Sequence, residues 1–124
     1  MQAGRTGSVI FISSSAAHMG LTNASAYTGA KGAVSALCRS LSSEFAPHGI
    51  RVNAVCPGWI ETDLVRESLR RVPQRRAMVE RRCLVPGLGC EKDVGMAVAF
   101  LASDAARYIT AIDLKVDGGI AVSL

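Results

Sequence analysis

Three strand-like runs separated by helix-length segments constrain this chain more than any other feature: Gly7–Ser13 (GSVIFIS), Ile50–Cys56 (IRVNAVC) and Ile112–Val116 (IDLKV). The first is continuously apolar and β-branched, which suits a strand covered on both faces rather than one with a wet side. Between the first two runs lies a helical pattern over 25–46. Its apolar positions Ala26, Ala30, Ala33, Val34, Leu37, Leu41 and Phe45 recur at intervals of three and four and predict one buried stripe. Asn23 or Ser25 is placed to cap its start, and Pro47 and Gly49 to end it. A second long helix over 91–103 carries Val94, Val98 and Leu101 in line. Residues 62–85 read as short helices in a basic insertion, broken at Pro73 and Pro86. Strand, helix, strand, helix, strand predicts an α/β fold: a parallel sheet with helices on its faces and right-handed crossovers.

At 124 residues, with 49% hydrophobic content, the chain has the size and apolar content of one ordinary domain. Cys38, Cys56, Cys83 and Cys90 show no CxxC spacing and read as reduced, mostly buried thiols rather than disulfides or zinc ligands. His18 and His48 are isolated in sequence, so no metal site is expected. No apolar run reaches the roughly 18 residues of a membrane span and no signal-peptide core is present, which makes the cytoplasm the default compartment. The net charge of +4 is concentrated: residues 66–82 hold seven arginines and two glutamates, a balance of +5 that leaves −1 elsewhere. A solvated helical face is the plain reading, and a loop attracting an anionic substrate or acidic carrier protein is the alternative. Nucleic-acid binding is not expected, because the stretch has no interleaved aromatics to stack on bases.

The segment NASAYTGAKGAVSAL (residues 23–37) sets Tyr27 and Lys31 four apart, hence as neighbours on one helix surface, among small residues that permit close packing. An ammonium beside a phenol favours its ionised form, and such a phenol suits proton donation and acceptance. In open parallel sheets ligands bind beyond the carboxyl ends of the strands. That rule selects Ser13–Ser15 and Pro57–Thr62, on the side where Tyr27 also lies.

Taken together, VIFISSSAA, AYTGAKGAV, GIRVNAVCPGWIETDL, FLASDAARYIT and VDGG resemble the C-terminal half of the short-chain dehydrogenases/reductases, in family order and spacing, from about Gly7 to Gly119. PGWIETD and the Met19-Gly20 pair are similar to the branch containing 3-oxoacyl-acyl-carrier-protein reductases. The resemblance implies a three-layer αβα Rossmann-type, doubly wound parallel sheet, of which this chain supplies the C-terminal three strands. It makes residues 1–124 a single partial domain with a substrate-loop insertion at 62–86. It also implies an NAD- or NADP-dependent oxidoreductase interconverting a small carbonyl compound and a secondary alcohol. Tyr27 is then the general acid/base, Lys31 supports the phenol and holds the nicotinamide ribose, and Ser14 orients the substrate oxygen. Pro57, Gly58, Ile60 and Thr62 are the loop at the nicotinamide amide and adjoining phosphate, with Gly58 allowing close backbone approach. Asp117-Gly118-Gly119 is expected to be a structural turn. A matching helix pairs across a two-fold in the family, so a dimer or tetramer is expected, with the apolar IAVSL tail (residues 120–124) pointing the same way.

The departures are as informative. No TGxxxGxG or GxGxxG stands after a strand, so the groups that cradle a dinucleotide diphosphate and choose between NAD and NADP are missing from this sequence, as is the family's active-site asparagine. Ala111 follows Thr110 where the family usually has glycine. Two readings follow: a segment of an oxidoreductase with its catalytic residues intact, or a truncated remnant or half of a split enzyme that needs a partner chain. In both, residues 1–124 alone are expected neither to hold the cofactor tightly nor to transfer hydride, and the first strand is expected to be an unpaired sheet edge.

Overall fold

The computed structural model describes residues 6–123. Its elements run β1 (Gly7–Ile12), α1 (Ser25–Phe45), β2 (Ile50–Pro57), α2 (Asp63–Arg71), α3 (Pro73–Arg82), α4 (Glu91–Ala102) and β3 (Asp113–Val116), with 3-10 turns at Ser15–His18, Ala46–His48 and Asp104–Ala106. The strands form one parallel sheet in the order β1-β2-β3. Gly7 lies opposite Ile50 and Ile12 opposite Val55, while Ala54 lies opposite Asp113 and Pro57 opposite Val116. β1 is therefore an edge, with Val9 and Ile12 exposed, as its sequence predicts.

The faces follow from the period-two alternation of β2. Val52 and Ala54 pack against Cys38 of α1, with Phe11, Leu41, Phe45 and Ile50 around them. Val55 points the other way and packs against Leu101 of α4 and Ala106, with Val94 and Val98 in the same cluster. Leu101 is fully buried, a gain of about 1.5–3 kcal/mol over an exposed leucine. The start of α4 is fastened by a reciprocal cap, in which the Cys90 N–H donates to Asp93 Oδ2 at 2.7 Å. That hydrogen bond holds the Asp93 carboxyl below its ordinary value of 3.8. Among the described residues no helix is long and apolar enough to cross a membrane.

Three sequence expectations need correction. The stripe assigned to α1 faces the sheet only in part, at Leu41 and Phe45. Its buried residues are Ser35, Cys38 and Ser42, whereas Ala26, Ala30, Ala33 and Leu37 are exposed. Small hydroxyl side chains can line a helix–sheet contact when they are hydrogen-bonded. Ser35 shares a bond with Ser13 at 3.1 Å, and Ser42 donates to the Arg39 carbonyl. Neither Asn23 nor Ser25 caps α1. Ala24 holds the cap position without a side-chain bond, Asn23 turns left-handed at φ 58°, and Ser25 is already helical. Nor are both crossovers right-handed. The chain steps in the same direction from β1 to β2 and from β2 to β3, but α1 and α4 lie on opposite faces. Equal steps on opposite faces have opposite hands. The second connection, which builds α2 and α3 before α4 returns along the sheet, is thus an exception to the usual hand.

Pro73 opens α3 in its first turn, where a missing N–H costs nothing. The arginines of α2 and α3 largely pair within their own helices: Arg70 and Arg71 with Glu67, Arg76 with Glu80, and Arg66 with Asp63. That pattern matches a solvated face.

Entry into β3 is tied to β2. The fully buried Asn53 donates to the Ile109 carbonyl at 3.0 Å and accepts from the Ile112 N–H at 3.2 Å. The Ala111 N–H reaches the Val52 carbonyl at 2.8 Å. To make these bonds Ala111 takes a φ of 63°, a left-handed conformation that costs an L-residue about 1–2 kcal/mol. Ala111→Gly should remove that strain, and glycine's extra unfolded-state freedom offsets only part of the gain. We expect a net stabilisation of about 0.5–1 kcal/mol in urea unfolding. A loss of stability would show that Ala111 is not strained.

Candidate active site

The carboxyl ends of β1 and β2 open onto a cavity of about 390 Å³ lined by Ile12, Ser13, Ser14, Tyr27, Lys31, Pro57, Gly58, Ile60, Thr62, Val65, Glu91 and Val94. All seven residues selected from the sequence line it: Ser14, Tyr27, Lys31, Pro57, Gly58, Ile60 and Thr62. They come from three segments, namely the turn after β1, the first turns of α1 and the loop after β2. Ser13, Ile12, Val65, Glu91 and Val94 complete the lining, and the last four were not selected as site residues from the sequence. The helix pattern gives α4 a direction only once the sheet order is known, so Glu91 had no sequence signal.

The three serines divide. The Ser13 hydroxyl is spent on structure, donating to the Lys31 carbonyl at 2.9 Å beside its contact with Ser35. Ser14 Oγ accepts from the Ala16 N–H at 3.1 Å as the cap of the following turn. Its own hydroxyl proton is thus left to donate into the cavity. Ser15 is buried and does not line the cavity. Tyr27 is half-exposed at the rim. Lys31 Nζ donates to the Ile12 carbonyl at 3.0 Å, which anchors one of its three hydrogens and leaves two for a ligand.

The loop after β2 is shaped by its own neighbours. The Gly58 N–H donates to the Val116 carbonyl at 3.0 Å. A Cβ at Gly58 would lie 2.7 Å from both Cα and Cβ of Asp117. Glycine is therefore required here by the close approach of the Asp117 turn. Ile60 is buried and bridges to Gly89. Thr62 caps α2, accepting from the Val65 N–H at 3.3 Å, so its hydroxyl proton also remains free. Asp117-Gly118-Gly119 is a turn, as expected: the carboxylate accepts from the Gly119 and Ala121 N–H groups, and both glycines have positive φ.

A larger cavity of about 470 Å³ lies between the Cys83–Gly89 loop and that turn. Its Asp117 and Asp93 carboxylates are already used by backbone donors, and it lacks the serine, phenol and ammonium that line the cavity at Tyr27. Behind that cavity the structure assembles a group that sequence spacing did not reveal. His18, Cys56 and Asp113 meet although they are far apart in the chain, with ligand atoms within 4.8 Å of one another. All four cysteines are free thiols; Cys38 and Cys56 are buried, Cys83 is half-buried and Cys90 exposed. Burial foremost, then the Asp113 carboxylate, pushes the Cys56 thiol above its ordinary value of 9.0.

A family model described as Enoyl-(Acyl carrier protein) reductase matches residues 1–121. An L-rhamnose 1-dehydrogenase (NAD(P)(+)) of Azotobacter vinelandii is 41% identical over 125 residues, covering 99% of this chain and 48% of that protein. Among solved structures, the ligand-free aldohexose dehydrogenase of Thermoplasma acidophilum is 37% identical with a TM-score of 0.87, over 97% of this chain and 50% of that one. A 7α-hydroxysteroid dehydrogenase complexed with NADH and 7-oxo glycochenodeoxycholic acid is 31% identical with a TM-score of 0.87, over 92% of this chain and 44% of that one. The chain belongs to the short-chain dehydrogenase/reductase family and corresponds to its C-terminal portion. It spans about half the length of the curated relatives it matches.

Because Asp117 Cα is backbone and cannot swing aside, Gly58→Ala should displace the turn or the loop. We expect a loss of about 1–3 kcal/mol in urea unfolding. An unchanged midpoint would show that the approach of the two loops is not required.

Proposed function

We propose that this chain carries the catalytic residues of an NAD(P)-dependent oxidoreductase that interconverts a carbonyl and a secondary alcohol. One observation carries the reading: a phenol, an ammonium and a serine hydroxyl with a free proton line one cavity at the carboxyl end of a parallel sheet, beside the Pro57–Thr62 loop. Ser14 donates to the substrate oxygen and orients it. Tyr27 protonates that oxygen in reduction and takes the proton back in oxidation. Lys31 holds the ribose hydroxyls with its two unengaged hydrogens, and its charge supports the phenolate that follows proton transfer.

The residues present fit only one end of the cofactor. Lys31, Pro57, Gly58, Ile60 and Thr62 suit the nicotinamide and its ribose, with the Thr62 hydroxyl proton directed to the neighbouring phosphate. When bound, the nicotinamide gives or accepts the hydride. The diphosphate needs a glycine-rich turn between a strand and a helix N-terminus, and no TGxxxGxG or GxGxxG follows a strand in residues 1–124. The choice between NAD and NADP is accordingly open to whatever supplies that turn. The substrate is a small carbonyl or alcohol compound admitted past the α2–α3 insertion.

A second reading has its own support. β1 lacks a partner on its outer side among the described residues, with Val9 and Ile12 exposed. A chain ending its sheet there needs another segment to complete it, so an inactive remnant or one half of a split enzyme is the alternative. The coding DNA upstream of Met1 separates them: an in-frame TGxxxGxG favours the first and a stop codon the second. Assembly as a dimer or tetramer is supported by the apolar outer face of α1, Ala26, Ala30, Ala33 and Leu37. The tail adds less than its composition suggests, since Ile120 is buried within its own chain and, among its described residues, Val122 alone is strongly exposed.

In an intact version, Tyr27→Phe should lower hydride transfer by about three orders of magnitude, because positioned proton transfer supplies roughly 10²–10⁴. Ser14→Ala should lower turnover, whereas Ser13→Ala should chiefly weaken the fold. Retention of more than a tenth of wild-type turnover by Tyr27→Phe, measured by NAD(P)H absorbance, would contradict the assignment.

A further inference from the structure

We propose that His18, Cys56 and Asp113 form a binding site for one zinc-class divalent cation, with solvent as the fourth ligand. The three donors come from the turn after β1, the end of β2 and the start of β3, and the sheet register brings them together. His18 Nε2 lies 3.2 Å from Asp113 Oδ2 and 3.7 Å from Cys56 Sγ. Tetrahedral zinc, with bonds of about 2.0–2.2 Å to nitrogen and oxygen and about 2.3 Å to sulfur, sets N and O about 3.4 Å apart and N and S about 3.6 Å apart. Both separations from His18 are therefore close to those the ion needs, and all three ligand atoms lie within 4.8 Å of one another. One nitrogen, one sulfur and one oxygen donor also match the borderline-soft preference of zinc.

A separate observation points to an unmet need at the same place. Asp113 Oδ1 is buried without a hydrogen-bond partner, and such an acceptor is costly to leave bare. The carboxylate's other oxygen faces His18 and, at 3.6 Å, the guanidinium of Arg39. Arg39 is the charge that the ion must displace. Its side chain is 58% exposed and can turn outward into water. Binding exchanges the Cys56 thiol proton, released to solvent, for a sulfur–metal bond. The site would clip the turn that presents Ser14 to the strand end that presents Pro57, behind the cavity but outside its lining.

The test uses chain 1–124 with its thiols reduced. Zinc chloride titrated by calorimetry should bind at one equivalent, and cobalt(II) should give a sulfur-to-metal charge-transfer absorption. His18→Ala and Cys56→Ser should each weaken zinc binding at least tenfold, while Cys90→Ser leaves it unchanged. Arg39→Ala should tighten it several-fold, an effect that a merely structural cluster would not give. Zinc should also raise the melting temperature of the wild type but not of His18→Ala. No stoichiometric binding by the wild type would overturn the proposal, as would a cobalt band that survives Cys56→Ser and disappears with Cys90→Ser. The wild-type titration and the surface variant His18→Ala decide the matter even if Cys56→Ser does not fold.

Discussion

The structure depends on β2, which among the described residues is the strand paired on both sides. Its residues Val52 to Cys56 are fully buried, so their backbone groups have no water to fall back on and must find partners. The ladders to β1 and β3 supply most of them, and Thr110 supplies another by accepting from the Val52 N–H at 3.1 Å. Asn53 extends the same tie to the segment entering β3. Once β2 is fixed, the positions of Pro57 and Gly58 at its carboxyl end, and of Asp113 in the neighbouring register, follow. The candidate active site and the His18–Cys56–Asp113 group both hang on the end of this strand.

Much of this was legible in the sequence, for identifiable reasons. Strands and long helices lie within one or two residues of their patterns because continuous apolar runs and three-four spacing are strong local signals. The site was legible because strand ends and a Tyr/Lys pair can be located without knowing any long-range contact. The buried face of α1 was not, because Ser35 and Ser42 are polar by type and become buried only through hydrogen bonds that no local pattern records. The hand of the second crossover was hidden for a related reason: it depends on where α4 docks, which is a tertiary choice. His18, Cys56 and Asp113 could be brought together only by a register that pairs strands far apart in the chain.

The division of labour in the site is electrostatic. In the proposed reading, the groups present here serve the nicotinamide and ribose end of the cofactor, through hydrogen bonds and one ammonium. The charged diphosphate needs several backbone N–H groups converging at a helix N-terminus, and no TGxxxGxG or GxGxxG follows a strand in this sequence. The sheet points the same way, since the side of β1 that has no partner strand among the described residues adjoins the cavity at Ile12 and Ser13. What completes the sheet would also wall the site.

The central claim is that this chain holds the chemical half of a nicotinamide site without the half that supplies affinity. Titration of NADH and NADPH into residues 1–124, followed by nicotinamide fluorescence and calorimetry, tests it directly. The account predicts no saturation in the micromolar range for either cofactor. Saturable micromolar binding by a soluble monomer would contradict it.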